Sequence, residues 1–177
     1  MRLLKTIFIF LLIFSALPVA QAQEKASVNW VLFEYAVKMA KESKKPILID
    51  FYTDWCGWCK VMDKNTYSNP EIIEYINTHF HAVRFNAESK DTTYFKGKAY
   101  TYQDGLRCNQ IAYSILNGKM GYPTTAFLSP DGDVLSPVPG YLEPESIKPL
   151  LKYYGEGFYK GMTWESFQNE LKNLQGK

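Results

Sequence analysis

The most restrictive feature of this sequence is a short apolar run that leads straight into two closely spaced thiols. Ile47-Leu48-Ile49-Asp50-Phe51-Tyr52 is interrupted only by Asp50. Such a run suits a strand covered on both faces, at the centre of a parallel or mixed sheet. Trp55-Cys56-Gly57-Trp58-Cys59-Lys60 follows, and Cys56 to Met62 reads as the opening of a helix. Any fold of this chain must therefore bring a strand end, a helix start and two cysteines to one point.

That placement has a chemical consequence. A helix start leaves backbone N–H groups unpaired, and the helix dipole there favours an anion. The pKa of Cys56 should fall below the free value of roughly 8.5, giving more thiolate near neutrality. Cys59 lies about one turn further in, sheltered by the helix. Cys56 is then the attacking thiol on a partner disulfide, and Cys59 resolves the mixed disulfide. Asp50 sits inside the apolar run, which argues for burial, and burial raises a carboxyl pKa. An acid poised near neutral pH accepts the Cys59 proton directly or through water.

The rest of the chain alternates. Val28 to Glu42 reads as a helix, with Asn29 as its cap and Trp30, Phe33, Val37 and Ala40 at three- and four-residue steps. A second helical piece begins at Asn69-Pro70, with proline in the first turn. His81 to Phe85 reads as a strand, and Asn109 to Leu116 as a short helix closed by Asn117-Gly118. Thr124 to Leu128 and Val134 to Val138 flank Ser129-Pro130-Asp131-Gly132, a hairpin signal. Pro144 to Tyr154 and Trp164 to Leu174 complete the helices. Residues 86 to 108 are polar, tyrosine-rich and carry no clear period. The order predicts an α/β sandwich around a mixed sheet.

With these residues in view, the stretch from Ile47 to Lys60 resembles the active-site strand and helix of the thioredoxin superfamily. Asp50, six residues before Cys56, matches the buried acid that in thioredoxins helps the resolving thiol lose its proton. Gly121-Tyr122-Pro123-Thr124 matches the loop whose proline is cis in that fold and faces the cysteines. The resemblance covers residues 28 to 155 and implies a thioredoxin-like fold: a mixed central sheet flanked by helices, here with an insertion before the cis-proline loop and an extra C-terminal helix. It also implies that the backbone before Pro123, at Tyr122, pairs with an extended substrate strand. Arg84 matches a family lysine near the buried acid. Trp58 stands where ordinary thioredoxins have proline, and residues 86 to 120 are longer than the corresponding segment. More closely, the chain is similar to exported thioredoxin-like proteins carrying a Trp-Cys-Gly-Trp-Cys-Lys segment, domains that relay electrons to periplasmic disulfides.

The N-terminus points the same way. Arg2 and Lys5 precede an apolar run from Ile7 to Leu17, followed by Pro18 and Ala20-Gln21-Ala22. This reads as a signal peptide over 1–22, cleaved before Gln23, since the run falls short of the roughly 20 residues needed to span a bilayer. The expected organisation is a thioredoxin-like domain over 23–177, with its core at about 28–155 and a helical extension at 156–177. The expected location is outside the cytoplasm, in a bacterial periplasm, with no stable membrane insertion after cleavage. Of 20 Lys and Arg, two leave with the leader, and the remaining 18 balance 18 Asp and Glu. So even a charge does not suggest nucleic acid as a partner.

The predicted function is thus exchange of electrons with protein disulfides, more in the sense of a reductase, with an unidentified redox partner. Cys56, Cys59 and Asp50 are the expected catalytic residues. Trp55, Trp58, Tyr122, Pro123 and Thr124 are the expected substrate-binding residues. No organic cofactor and no metal is expected. Cys108, His79 and His81 are the other candidate ligands for a zinc ion, yet no second paired motif accompanies the first. The alternative function is a client-binding module or chaperone that keeps the fold without essential redox turnover.

Overall fold

The computed structural model describes residues 26–175; the expected leader over 1–22 lies outside them. In chain order, the first elements are strand β1 (Trp30–Val31), helix α1 (Phe33–Ser43), strand β2 (Ile47–Tyr52), helices α2 (Gly57–Asn65) and α3 (Pro70–His79), and strand β3 (His81–Asn86). An insertion follows, with β4 (Thr93–Phe95), β5 (Lys98–Tyr100), β6 (Tyr102–Gln103), β7 (Cys108–Asn109) and helix α4 (Gln110–Ile115). The chain then runs through β8 (Thr124–Leu128), β9 (Val134–Pro139), α5 (Pro144–Gly155) and α6 (Trp164–Gln175).

The main sheet has the order β1-β3-β2-β8-β9. β2 runs parallel to β3 and antiparallel to β8, so the sheet is mixed and the apolar run lies at its centre. The alternation of side chains along a strand divides β2 between two cores. Ile47, Ile49 and Phe51 face α1 and α4, among Phe33, Ala36, Ile111 and Ile115. Leu48 faces the opposite layer, built from Met62 of α2, Ile72 and Ile76 of α3, Ile147 of α5 and Phe167 of α6. Asp50 shares Leu48's parity, which directs it towards the layer containing the thiol-bearing helix.

The first predicted helix requires correction. Trp30 and Val31 pair with Ala82 and Val83 as an edge strand, and the helix starts only at Phe33. Asn29 does not cap it: the helix is capped at Leu32 without a side-chain bond, and the Asn29 N–H donates to Asn77 Oδ1 at 2.8 Å. The apolar spacing of Trp30, Phe33, Val37 and Ala40 satisfies a helix. It satisfies a strand followed by a helix equally well, and pairing with β3 decides between them.

The second predicted helix starts where the sequence places it. Asn69 Oδ1 accepts the N–H groups of Glu71 and Ile72 at 3.0 and 3.3 Å, with Pro70 in the first turn. Replacing Asn69 with alanine leaves both donors without this partner. It should cost about 1 kcal/mol, read as a fall of roughly 2–4 °C in Tm. A thermal melt indistinguishable from wild type would contradict a capping role.

The unassigned stretch becomes two small antiparallel ladders, β4 with β5 and β6 with β7. It is fastened to the body by side chains. Phe95 packs edge-on against Phe33 at 5.3 Å, and Lys96 pairs with Asp133 at 2.7 Å beside the β8–β9 turn. At that turn Gly132 has φ +81°, and a Cβ there would lie 2.9 Å from the Phe95 ring. Glycine is needed at this position both for the backbone conformation and for the close approach.

Candidate active site

The two thiols sit where β2 hands the chain to α2. Cys56 is the N-cap residue of α2, with extended backbone, and its Sγ accepts the N–H of Cys59 at 3.1 Å. A helix N-terminus thus directs an N–H donor at this sulfur and stabilises negative charge on it. Cys56 and Cys59 are joined in a disulfide. Both residues are buried, at 4% and 3% exposure, so an incoming thiolate must pass the side chains around them.

Beneath the helix lies a network of charge. Asp50 is buried, and its Oδ1 has no hydrogen-bond partner. Arg84, its register partner on β3, brings Nε to 3.7 Å from Asp50 Oδ2. The guanidinium does not close on that carboxylate. Its Nη2 bonds to Asp63, on α2 one turn past Cys59, and its central carbon lies over the Tyr52 ring, 4.6 Å from the centroid. Burial therefore dominates the Asp50 carboxyl and raises its pKa to about 7; the Arg84 charge opposes the shift and Asp63 adds to it. Tyr67 completes the surroundings, its hydroxyl 3.3 Å from Thr125 Oγ1 on β8. Burial and the neighbouring Asp50 charge hold the Tyr67 hydroxyl well above its ordinary value.

The residues above the thiols are aromatic. Trp55 is 67% exposed, yet its Nε1–H donates to both carboxylate oxygens of Glu88 at 3.0 and 3.1 Å. Its ring meets Tyr122 edge-on at 6.0 Å. Trp58 is 62% exposed and rests against Tyr141 at 5.5 Å. The Tyr122–Pro123 bond is cis, as the resemblance implies. Pro123 is fixed on one side by its carbonyl, which accepts the Gly140 N–H at 2.8 Å, and Thr124 Oγ1 donates to Gly121 O at 2.7 Å. Among the described residues, no hydrogen bond engages the backbone N–H or C=O of Tyr122.

Several predicted residues thus gather around one structure: the two cysteines, Asp50 with Arg84, and the two tryptophans with the Tyr122-Pro123-Thr124 loop. Cys108 is buried in β7 as a free thiol, its pKa raised by burial and by the Glu88 charge. His79 and His81 stand at the end of α3 and the start of β3, where His81 Nε2 lies 2.7 Å from Ser43 Oγ. Among the described residues, no three of the His, Cys, Asp and Glu side chains are placed together to hold a metal ion. Sequence reasoning missed Glu88, Asp63 and Tyr141. Asp63 carried a usable signal, since four residues after Cys59 is one turn along the same helix. Glu88 and Tyr141 carried none, because only tertiary packing brings them to the tryptophans.

Known proteins share this architecture. Residues 33–155 match a family described as a thioredoxin-like domain. An uncharacterized protein of Caenorhabditis elegans is 27% identical over 129 residues, 71% of this chain and 16% of that protein. The thiol:disulfide interchange protein DsbD of Vibrio vulnificus is 47% identical over 34 residues, 19% of this chain and 6% of that protein. The chain therefore spans only a small part of the length of these curated relatives. Among solved structures, the DsbH oxidoreductase superposes with a TM-score of 0.54 at 19% identity, covering 80% of this chain and 95% of that one. This last likeness is one of fold.

Proposed function

Because this chain belongs to the thioredoxin-like domain family, we propose that it is an exported thiol:disulfide oxidoreductase, working as a reductase of protein disulfides through Cys56 and Cys59. The observation that carries the proposal is the joint placement of Cys56 at the N-cap of α2 and Asp50 buried towards the same helix with a pKa of about 7.

In the reduced protein the Cys56 thiolate attacks one sulfur of a substrate disulfide. The substrate S–S bond breaks, a Cys56–substrate bond forms, and the other substrate sulfur leaves as a thiolate. Cys59 then loses its proton towards Asp50 and attacks Cys56 Sγ. The Cys56–Cys59 disulfide forms and the second substrate sulfur leaves. Two electrons pass from the protein to the substrate, and a donor dithiol must restore them. Neither step draws on a metal or an organic cofactor. The open Tyr122 backbone supports docking of an extended substrate segment beside the thiols.

Export rests on the N-terminal segment, with its basic residues, apolar run and Ala20-Gln21-Ala22 site. Among the described residues, no helix is long and apolar enough to cross a membrane. The direction of transfer is tested by equilibrating the protein with a glutathione or dithiothreitol buffer and reading the Cys56–Cys59 potential. A value near roughly −270 mV supports a reductase, whereas one near roughly −120 mV belongs to an oxidant and overturns that direction.

A further inference from the structure

Resting on that redox reading, we propose that Tyr141 is a specificity-determining residue: it holds the Trp58 indole ready to receive an aromatic or large apolar side chain flanking the reactive cysteine of an extended polypeptide partner. Trp58 lies between the two cysteines, and one face of its ring is backed by Tyr141 while the residue remains 62% exposed. The disulfide beside it is nearly buried. An extended polypeptide whose sulfur engages this dithiol brings its flanking residues close to the indole that separates the two cysteines in the chain, and a side chain that removes apolar ring surface from water is favoured there.

Tyr141 is itself built into place. Its hydroxyl accepts from Asn65 Nδ2 at 3.3 Å at the end of α2. The residue before it, Gly140, donates its N–H to Pro123 O at 2.8 Å, and Thr66 Oγ1 donates to the following Leu142 O at 2.6 Å. Three bonds thus tie this short segment to the active-site helix on one side and to the Pro123 loop on the other. An indole without that backing samples several rotamers, and ordering it on binding costs conformational entropy. With Tyr141 in place the cost is met before the partner arrives. The partner class is accordingly a polypeptide thiol or disulfide with an aromatic neighbour, and a small charged thiol such as glutathione gains nothing from this surface.

The test follows reduction of the oxidised full-length protein by two synthetic peptides of equal charge. Each carries two cysteines, both flanked by phenylalanine in one peptide and by serine in the other, so that a single peptide supplies both electrons and leaves as its own disulfide. Dithiothreitol serves as the reference reductant. Wild type is expected to react roughly five to ten times faster with the phenylalanine peptide, the size of one aromatic contact. Tyr141→Ala should bring that ratio close to one when each peptide rate is taken relative to the same variant's dithiothreitol rate, while Tyr141→Phe, which keeps the ring, should retain the preference. Equal rates for both peptides with wild type, or an undiminished ratio in Tyr141→Ala, overturns the inference alone. If the protein, once reduced by dithiothreitol, does not reduce insulin disulfides, the redox reading itself is what fails.

Discussion

Cys56→Ser is expected to reduce insulin-reducing activity to the uncatalysed background and to form no covalent adduct with partner proteins. Cys59→Ser is expected to lose turnover as well, but to accumulate mixed disulfides at Cys56. The two thiols differ in position, and this sets the asymmetry. Cys56 sits at the cap of α2 with an N–H donor aimed at its sulfur, so it is the one whose anion the helix favours. Cys59 lies within the helix, and only it is placed to break the bond that Cys56 makes. Without it the intermediate has no internal route to resolution. Gel shifts under non-reducing conditions distinguish the outcomes. If Cys56→Ser retains insulin reduction or covalent capture, Cys56 is not the attacking thiol and the proposed mechanism fails; if wild type itself neither reduces insulin nor forms adducts, the chain is a client-binding module.

Asp50→Asn is expected to act in opposite directions on stability and on turnover. The carboxyl titrates near its ordinary value of 3.8 in the unfolded chain and near 7 in the folded protein. Between those values the folded state holds a proton that the unfolded state has released. Stability therefore falls as pH rises from about 4 to about 7, then stays level. Carrying the carboxyl from 3.8 to about 7 costs at most about 4 kcal/mol, a penalty that asparagine, having no charge to bury, does not carry. Urea unfolding of the oxidised proteins should show the Asp50→Asn variant progressively more stable, relative to wild type, from about pH 4 to about pH 7. Resolution of the mixed disulfide should slow by about 10²-fold, the lower range for loss of a positioned base. The rate should also lose its inflection near pH 7. Parallel pH profiles for the two proteins would show that Asp50 is not the titrating group.

How much of this was legible depends on where the information lay along the chain. The Ile47 to Tyr52 strand and the cysteines are contiguous, and local chemistry alone placed them. The hairpin at Ser129 to Gly132 and the helix start at Asn69-Pro70 were equally local. The entry into α1 was misread because periodicity does not record pairing, and β1 exists only through its contact with β3. The stretch from 86 to 108 was opaque for the same reason: its strands are two or three residues long and are defined by their partners. The Trp55–Glu88 bond joins residues 33 apart, and nothing in the local pattern of Glu88 marks it.

The antiparallel pairing of β2 with β8, where Ile47 lies opposite Leu128 and Asp50 opposite Thr125, also governs the order of events during folding. Closing so long a loop is entropically costly and slow compared with local helix formation. The dithiol is complete as soon as residues 56 to 59 have been synthesised, whereas the Pro123 loop joins it only once the two halves of the sheet meet. A nascent chain therefore carries reactive sulfur before it has acquired the surface that chooses its partners.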